Sequence, residues 1–261
     1  MICAGIDAGS RAIKVVLFDH AQSKLLGAGV VDQGVDQSRL AEGLYDQTLS
    51  ETGLTRANIH AVVATGYGRN RVSIANTTIT EITCHARGVY HLASGTRSIV
   101  EIGGQDSKVI RLEDGGRVRD FSMNDRCAAG TGRFLEMVAA RLGTDLDRLG
   151  DLSAQSRQPA LISNTCVVFA ETEIIGLLAE GVAAADIAAG VQKAMATRLA
   201  AMAGRALEAP VCFTGGVALQ SGMRHALEET LGCAVHVPPQ PQFTGALGAA
   251  ILAGRQKEGR N

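Results

Sequence analysis

The sequence predicts an α/β fold built from two similar halves. Apolar, strand-like runs recur in sets of three, over residues 2–32 and 98–122. The first strand of each set runs into a glycine-bearing polar turn, Asp7-Ala8-Gly9-Ser10 in one and Gly103-Gly104-Gln105-Asp106 in the other. Each set is followed by helix-like crossovers and a further apolar strand, the order expected of duplicated α/β units.

In the first half, residues 2–6, 13–18 and 25–31 read as strands. Ser38 reads as the N-cap of an amphipathic helix running to about Thr52, and Gly53 as its stop. Residues 59–64 form a further strand, followed by Thr65-Gly66-Tyr67-Gly68-Arg69-Asn70 and a helix over 81–93. The second half opens with strands at 98–102, 108–112 and about 118–122, with a turn at Glu113-Asp114-Gly115-Gly116. Helices follow at about 131–142, 171–180 and 185–207. A strand at 211–214 meets Gly215-Gly216, and a helix at 218–230, a strand at 234–237 and a helix at 244–256 complete the chain. The expected division is an N-terminal half over 1–95 and a C-terminal half over 96–242. The last helix, 243–257, is expected to pack back on the first half.

Composition removes several function classes. The 261 residues carry 25 basic and 26 acidic side chains, and no basic run is long enough for a nucleic-acid footprint. Three Tyr, six Phe and no Trp leave little for sugar- or base-stacking platforms. Asp7 interrupts the first apolar run, so it does not read as a signal peptide. No uncharged apolar stretch reaches 18 residues, so no membrane span is expected and a cytoplasmic location is. Six cysteines stand at 3, 84, 127, 166, 212 and 233 without a Cys-x-x-Cys pair, a spacing that does not suggest disulfides.

Three turns point to a nucleotide. In the first, Gly9 lets backbone approach a phosphate, Ser10 adds a hydroxyl, Lys14 adds a cation, and Asp7 is a candidate for holding magnesium through water. Taken alone, it also reads as an ordinary hairpin turn. The second is Glu101-Ile-Gly-Gly-Gln-Asp-Ser-Lys108 and the third Phe213-Thr-Gly-Gly-Val-Ala218. A glycine pair at a strand end lets a ring or phosphate pass unobstructed. All three in this order are hard to explain as tight turns. A Rossmann fingerprint and a P-loop are both absent from the sequence.

These turns resemble those of the actin, sugar-kinase and DnaK-chaperone superfamily. That resemblance implies ribonuclease-H-like, actin-like ATPase halves with a nucleotide cleft between them. Four segments, 64–70, 102–108, 123–136 and 213–218, further resemble the ATP-dependent activators of 2-hydroxyacyl-CoA dehydratases and benzoyl-CoA reductases, and the likeness runs from Gly5 to about Ala253. It implies a homodimer that holds one 4Fe-4S cluster at its two-fold interface. Such a protein uses MgATP to send low-potential electrons, received from ferredoxin or flavodoxin, to a partner dehydratase or reductase. By position, Cys127 and Cys166 become cluster ligands. Gly9, Ser10, Arg11, Ala12, Ile13, Lys14, Gly103, Gly104, Gln105, Gly215, Gly216, Ala218 and Gln242 become nucleotide contacts, and Asp7, Gln105 and Asp106 the catalytic set. Arg11 stands where the family has a small residue, and Glu101 where it favours Asp, which leaves Asp106 the better catalytic candidate. A benzoyl-CoA reductase subunit, a double-cubane protein activator and a cluster-free small-molecule kinase are the alternatives.

The cysteines divide by context. Cys3, Cys84, Cys212 and Cys233 read as small buried hydrophobes. Cys127 and Cys166 each follow a polar segment and precede a helix-like stretch, where N–H groups would face the sulfur and lower its pKa. A 4Fe-4S cluster takes four thiolates. One chain offers two, so an isologous pair of chains is expected to supply the set. Zinc would need other ligands beside such a pair.

Overall fold

The computed structural model describes residues 1–163, 166–204 and 207–255. Asn164 and Thr165, in the segment before Cys166, lie outside the described residues, as do residues 205, 206, 256 and 257 of the expected helices. The chain divides into two compact units. One comprises Met1–Thr96, Leu112–Arg119 and the chain from Gln242 onward; the other comprises Arg97–Arg111 and Asp120–Pro241.

The first unit contains a five-stranded sheet of β1 (Ile2–Ala8), β2 (Ala12–Asp19), β3 (Lys24–Asp32), β4 (Ile59–Thr65) and β5 (Thr77–Thr78), in the order β3-β2-β1-β4-β5. The first three strands form an antiparallel meander, and β4 and β5 join in parallel. Its helices are α1 (Gln37–Glu51), α2 (Glu81–Leu92) and α8 (Thr244–Ala253). The second unit contains the sheet of β6 (Ser98–Ile102), β7 (Ser107–Leu112), β8 (Val118–Asn124), β9 (Val211–Thr214) and β10 (Val235–His236). Its order, β8-β7-β6-β9-β10, repeats that of the first sheet. The helices here are α3 (Gly132–Arg141), α4 (Leu149–Ser153), α5 (Val167–Ala179), α6 (Ala184–Ala203) and α7 (Ser221–Leu231).

Side-chain alternation explains the first core. On β2, Ile13, Val15 and Leu17 join Leu44, Tyr45 and Leu49 of α1, while Val16 and Phe18 join Ala246, Leu247 and Ala250 of α8. Both faces of the central strands are therefore covered, which is why β1 and β2 read as nearly continuous apolar runs. Each large apolar side chain buried here contributes roughly 1.5–3 kcal/mol. Helix α8 is apolar around its circumference and almost wholly buried. Small residues admit it: a Cβ on Gly5 would overlap Ala246 O, one on Gly88 would overlap Thr244 O, and one on Gly248 would overlap Cys84 O.

Local signals misplace three boundaries. Asp36, not Ser38, caps α1, its carboxylate accepting from the Arg39 N–H at 3.0 Å; the Ser38 hydroxyl instead pairs with Ser73 at 2.8 Å. Helix α5 starts at Val167 rather than 171, directly after Cys166. Helix α7 starts at Ser221, because residues 216–219 form a separate 3-10 turn. The short α4 and β5 carry too few residues for a periodic signal. Among the described residues no helix is long and apolar enough to cross a membrane.

The glycine contacts predict opposite effects at two helical positions. Gly248→Ala is expected to lower unfolding free energy by about 3 kcal/mol, because backbone rather than a flexible side chain must move. Gly43→Ala in α1, where no atom lies within 4 Å of the new Cβ, is expected to raise it by about 0.5–1 kcal/mol. Denaturant unfolding of both variants checks the pair.

Candidate functional site

In the first unit, Asp7 lies opposite Lys14 across the β1–β2 pair. Its side chain is 8% exposed, and Oδ2 is 3.6 Å from Lys14 Nζ. The turn is closed by the Gly9 N–H donating to Ala12 O at 3.1 Å, and the Gln33 amide donates to Gly9 O at 2.7 Å. A Cβ on Gly9 would stand 3.4 Å from Lys14 Nζ, so the ammonium folds over the turn. Ile13 is wholly committed to the core, which leaves only its backbone for any ligand. The Arg11 guanidinium lies 3.5 Å from Asp32 with both side chains exposed, an ion pair of small energetic weight.

The neighbouring loop fixes the end of β1. Gly66 has φ +86°, and a Cβ there would overlap Asp7 Oδ1. The Gly68 N–H donates to Ala8 O at 2.8 Å, and Arg69 donates to Gly66 O at 3.0 Å. His85 is a residue that the sequence alone does not single out. It is buried on α2, its Nδ1 is 3.0 Å from Thr244 Oγ1, and its Nε2 and Asp7 Oδ2 both face the Cα of Gly245. A polar side chain on the apolar face of a helix was the available signal. Gln242, just before α8, has a buried Oε1 with no hydrogen-bond partner.

In the second unit, the Gly103 N–H donates to Asp106 O at 3.0 Å and closes the β6–β7 turn. Gln105 lies exposed at its tip. Lys108 Nζ donates to Glu101 Oε2 at 2.8 Å and to Asp106 Oδ2 at 2.7 Å. Gly215 has φ +91°, and its N–H donates to Pro241 O at 3.1 Å. Gly216 is exposed, and a Cβ added to it would meet no atom within 4 Å, so its face is open to a ligand. Ala218 packs into the core, so only its backbone can serve. The same unit holds a pocket of about 440 Å³ bordered by Gly150 and Ser153 of α4, Gln192 and Lys193 of α6, and Ser221 and Gly222 of α7. Gln192 is 2% exposed and its Nε2 has no partner.

The two distinctive cysteines sit on the same unit. Cys127 is half-buried and bracketed by Asn124: its N–H donates to Asn124 Oδ1 at 3.2 Å, and Asn124 Nδ2 donates to Cys127 O at 2.8 Å. A 3-10 turn at Ala128–Gly130 follows, and α3 begins only at Gly132. The helix thus starts close to the expected residue 131, with the 3-10 turn between it and Cys127. Cys166 is exposed and occupies the N-cap of α5. Neither side chain makes a helix-capping hydrogen bond. Arg141 of α3 donates to Glu171 of α5 at 2.6 Å, which ties together the helices that follow the two cysteines.

Helix α3 lacks a side-chain cap as well. Its first N–H groups, on Gly132 and Arg133, donate instead to Gly103 O and Gly104 O, each at 2.9 Å. The β6–β7 turn is thus the cap of the helix that follows Cys127.

Three of the remaining thiols are core groups; Cys233, expected to be buried as well, is only partly buried because it lies just before the short edge strand β10. Cys3, Cys84 and Cys212 are fully buried, and burial pushes the Cys84 and Cys212 thiols up to about 12. Among the described residues no group of three or more His, Cys, Asp or Glu could hold a metal ion. Thiolate reactivity requires exposure and ionisation. Iodoacetamide near neutral pH is therefore expected to modify Cys166 first, Cys127 and Cys233 more slowly, and Cys3, Cys84 and Cys212 only after unfolding; peptide mass spectrometry reads the order. Since the folded-state thiol values are raised, the stability that the protonated Cys84 and Cys212 contribute is complete below about pH 9. It declines as pH rises towards 12.

Comparison with known proteins places these features in context. The BadF/BadG/BcrA/BcrD ATPase family matches residues 4–253. The activator of lactoyl-CoA dehydratase of Anaerotignum propionicum is 45% identical over 254 residues, covering 97% of each chain. The crystal structure of component A of Acidaminococcus fermentans (R)-2-hydroxyglutaryl-CoA dehydratase superposes with a TM-score of 0.94 at 38% identity, covering 98% of each chain. The activator of 2-hydroxyisocaproyl-CoA dehydratase from Clostridium difficile with bound ADPNP gives 0.93 at 40% identity, covering 100% of this chain and 99% of that one. The duplicated arrangement of two mixed five-stranded sheets with helices is shared with actin-like ATPases and sugar kinases.

Proposed function

This chain belongs to the BadF/BadG/BcrA/BcrD ATPase family, and from that premise we propose that it is an ATP-hydrolysing activator delivering single electrons to a 2-hydroxyacyl-CoA dehydratase. The observation that carries this reading is the pair of hydrogen bonds from Gly132 and Arg133 to the carbonyls of Gly103 and Gly104. They make one hydrogen-bonded assembly of a candidate nucleotide turn and the segment that bears Cys127. An ATPase that acts on a redox centre requires such a link, since a ligand shifts a conformational equilibrium only through groups it contacts in one state more than the other.

The roles follow from chemistry. The backbone of residues 9–13, with Ser10, Arg11 and Lys14, holds phosphate oxygens, and Asp7 holds magnesium through water. Gln105 and Asp106 orient the water that attacks the γ-phosphorus, with ADP as the leaving group. Gly103, Gly104, Gly215, Gly216, the Ala218 backbone and Gln242 complete the nucleotide contacts. The open face of Gly216 suits a flat purine ring, and the unpartnered Gln192 amide, which borders the pocket on the same unit, suits a ring acceptor.

Cys127 and Cys166 suit a thiolate-ligated centre: both are outside the core, neither is in a disulfide, and no third ligand is available among the described residues. Two copies of the chain would supply four sulfurs to a single 4Fe-4S cluster on a two-fold axis. When bound, that cluster supplies a one-electron carrier. Asn124 holds the Cys127 backbone in place for it from both sides.

Cys127→Ser and Cys166→Ser are each expected to remove the 4Fe-4S absorbance of anaerobically purified protein; a full cluster in both variants would overturn the ligand assignment. Asp7→Asn is expected to lower kcat for ATP hydrolysis by about 10²-fold in steady-state assays. Gln192→Leu is expected to raise the KM for ATP several-fold with kcat little changed, the pattern of a lost binding contact.

A further inference from the structure

Lys108 is 1% exposed, among the largest fully buried side chains of the described residues, and it carries a charge. It lies opposite Glu101 in the β6–β7 register, and its ammonium is shared between Glu101 Oε2 at 2.8 Å and Asp106 Oδ2 at 2.7 Å. Burying an ammonium is costly unless it is paired and hydrogen-bonded, so this arrangement has to be over-determined. The two carboxylates are not equivalent. The Glu101 side chain is 5% exposed and that of Asp106 23%. The other oxygen of Glu101 is walled in: a Cβ on Gly215 would come within 2.6 Å of Oε1, and one on Gly103 within 3.4 Å. Asp106 Oδ1 fills the space where a Gly103 side chain would stand. Two glycines from different turns therefore enclose the ion cluster, and only Asp106 opens to the surface beside Gln105.

The geometry points to Lys108 as the positioning residue of the β6–β7 turn, with Asp106 as its working carboxylate and Glu101 as a buried counter-charge that takes no part in ligand chemistry. Lys108 holds Asp106 fixed at the mouth of the turn. Glu101 accepts from the same ammonium on its buried side, which keeps it bound in the sheet. This assignment rests on the proposed ATPase reading and gives each member of the cluster a separate role.

The test uses variants that keep the buried charge balanced. Lys108→Met alone would strand the buried Glu101 carboxylate beside Asp106 and is expected to unfold. Glu101→Gln retains the Lys108–Asp106 pair and is expected to keep kcat for ATP hydrolysis within about 3-fold. Glu101→Gln with Lys108→Met removes one charge of each sign. It is expected to lower kcat about 10²-fold through loss of orientation while the Kd for ADPNP and the thermal midpoint stay close to those of Glu101→Gln. If that double variant does not fold, Glu101→Gln with Lys108→Gln carries the same comparison. An unchanged kcat in the folded double variant overturns the role of Lys108. A loss in Glu101→Gln as large as in the double variant overturns the counter-charge role of Glu101. A parallel loss of ADPNP affinity and kcat makes Lys108 a structural prop and also overturns the assignment. Absence of ATP hydrolysis from the unaltered protein defeats the ATPase reading instead, so the two failures are distinguishable.

Discussion

Helix α3 begins without a capping side chain, and its first two N–H groups find their acceptors on Gly103 and Gly104. A helix N-terminus leaves several N–H groups without intrahelical partners, and burying them unpaired is costly. Here the β6–β7 turn satisfies them, at about 1 kcal/mol of net stability per bond. Gly132 permits the approach, since its Cα lies so close that a Cβ would stand 3.2 Å from Gly103 O. Lys108 holds the same turn from the side of the sheet. The turn is therefore pinned twice, by carbonyls to α3 and by carboxylates to β7. A displacement of the turn has to be shared by the chain running back to Cys127 or break these bonds.

The glycines are similar in sequence and different in cause. Gly103 and Gly215 are required because carboxylates and backbone occupy the space of their side chains. Gly66 makes room for Asp7, and Gly88 and Gly248 let α2 and α8 meet. Gly216 has nothing in front of it, which is the condition for a ligand face. A glycine pair at a strand end thus joins two distinct functions, one internal and one external, and the residue type does not separate them.

The strands were legible because their signals are local. Alternation on β2 and the continuous apolar run of β1 follow from burial on one face or both, and the antiparallel-then-parallel order recurs in each sheet. Boundaries were less legible where several residues compete for one task. Asp36 and Ser38 are both good caps, and the choice fell to Asp36 because Ser38 has a partner in Ser73, far along the chain. The start of α5 was hidden because Val167, Val168 and Phe169 fit a strand as well as a helix.

By itself the sequence determined two sets of strands, the glycine turns that end them, and the contrast between the core cysteines 3, 84 and 212 and the pair at 127 and 166. These depend on residue type and spacing over a few positions. The tertiary structure decided which charges meet. Lys108 read as one more residue beside a phosphate turn; the pleat and register of β6 and β7 turn it inward onto Glu101 and Asp106. His85 comes to the level of Asp7 through helix packing. Helix α3 is capped by a turn nearly thirty residues earlier in the chain, and a hydrogen bond over that separation leaves no local pattern to read.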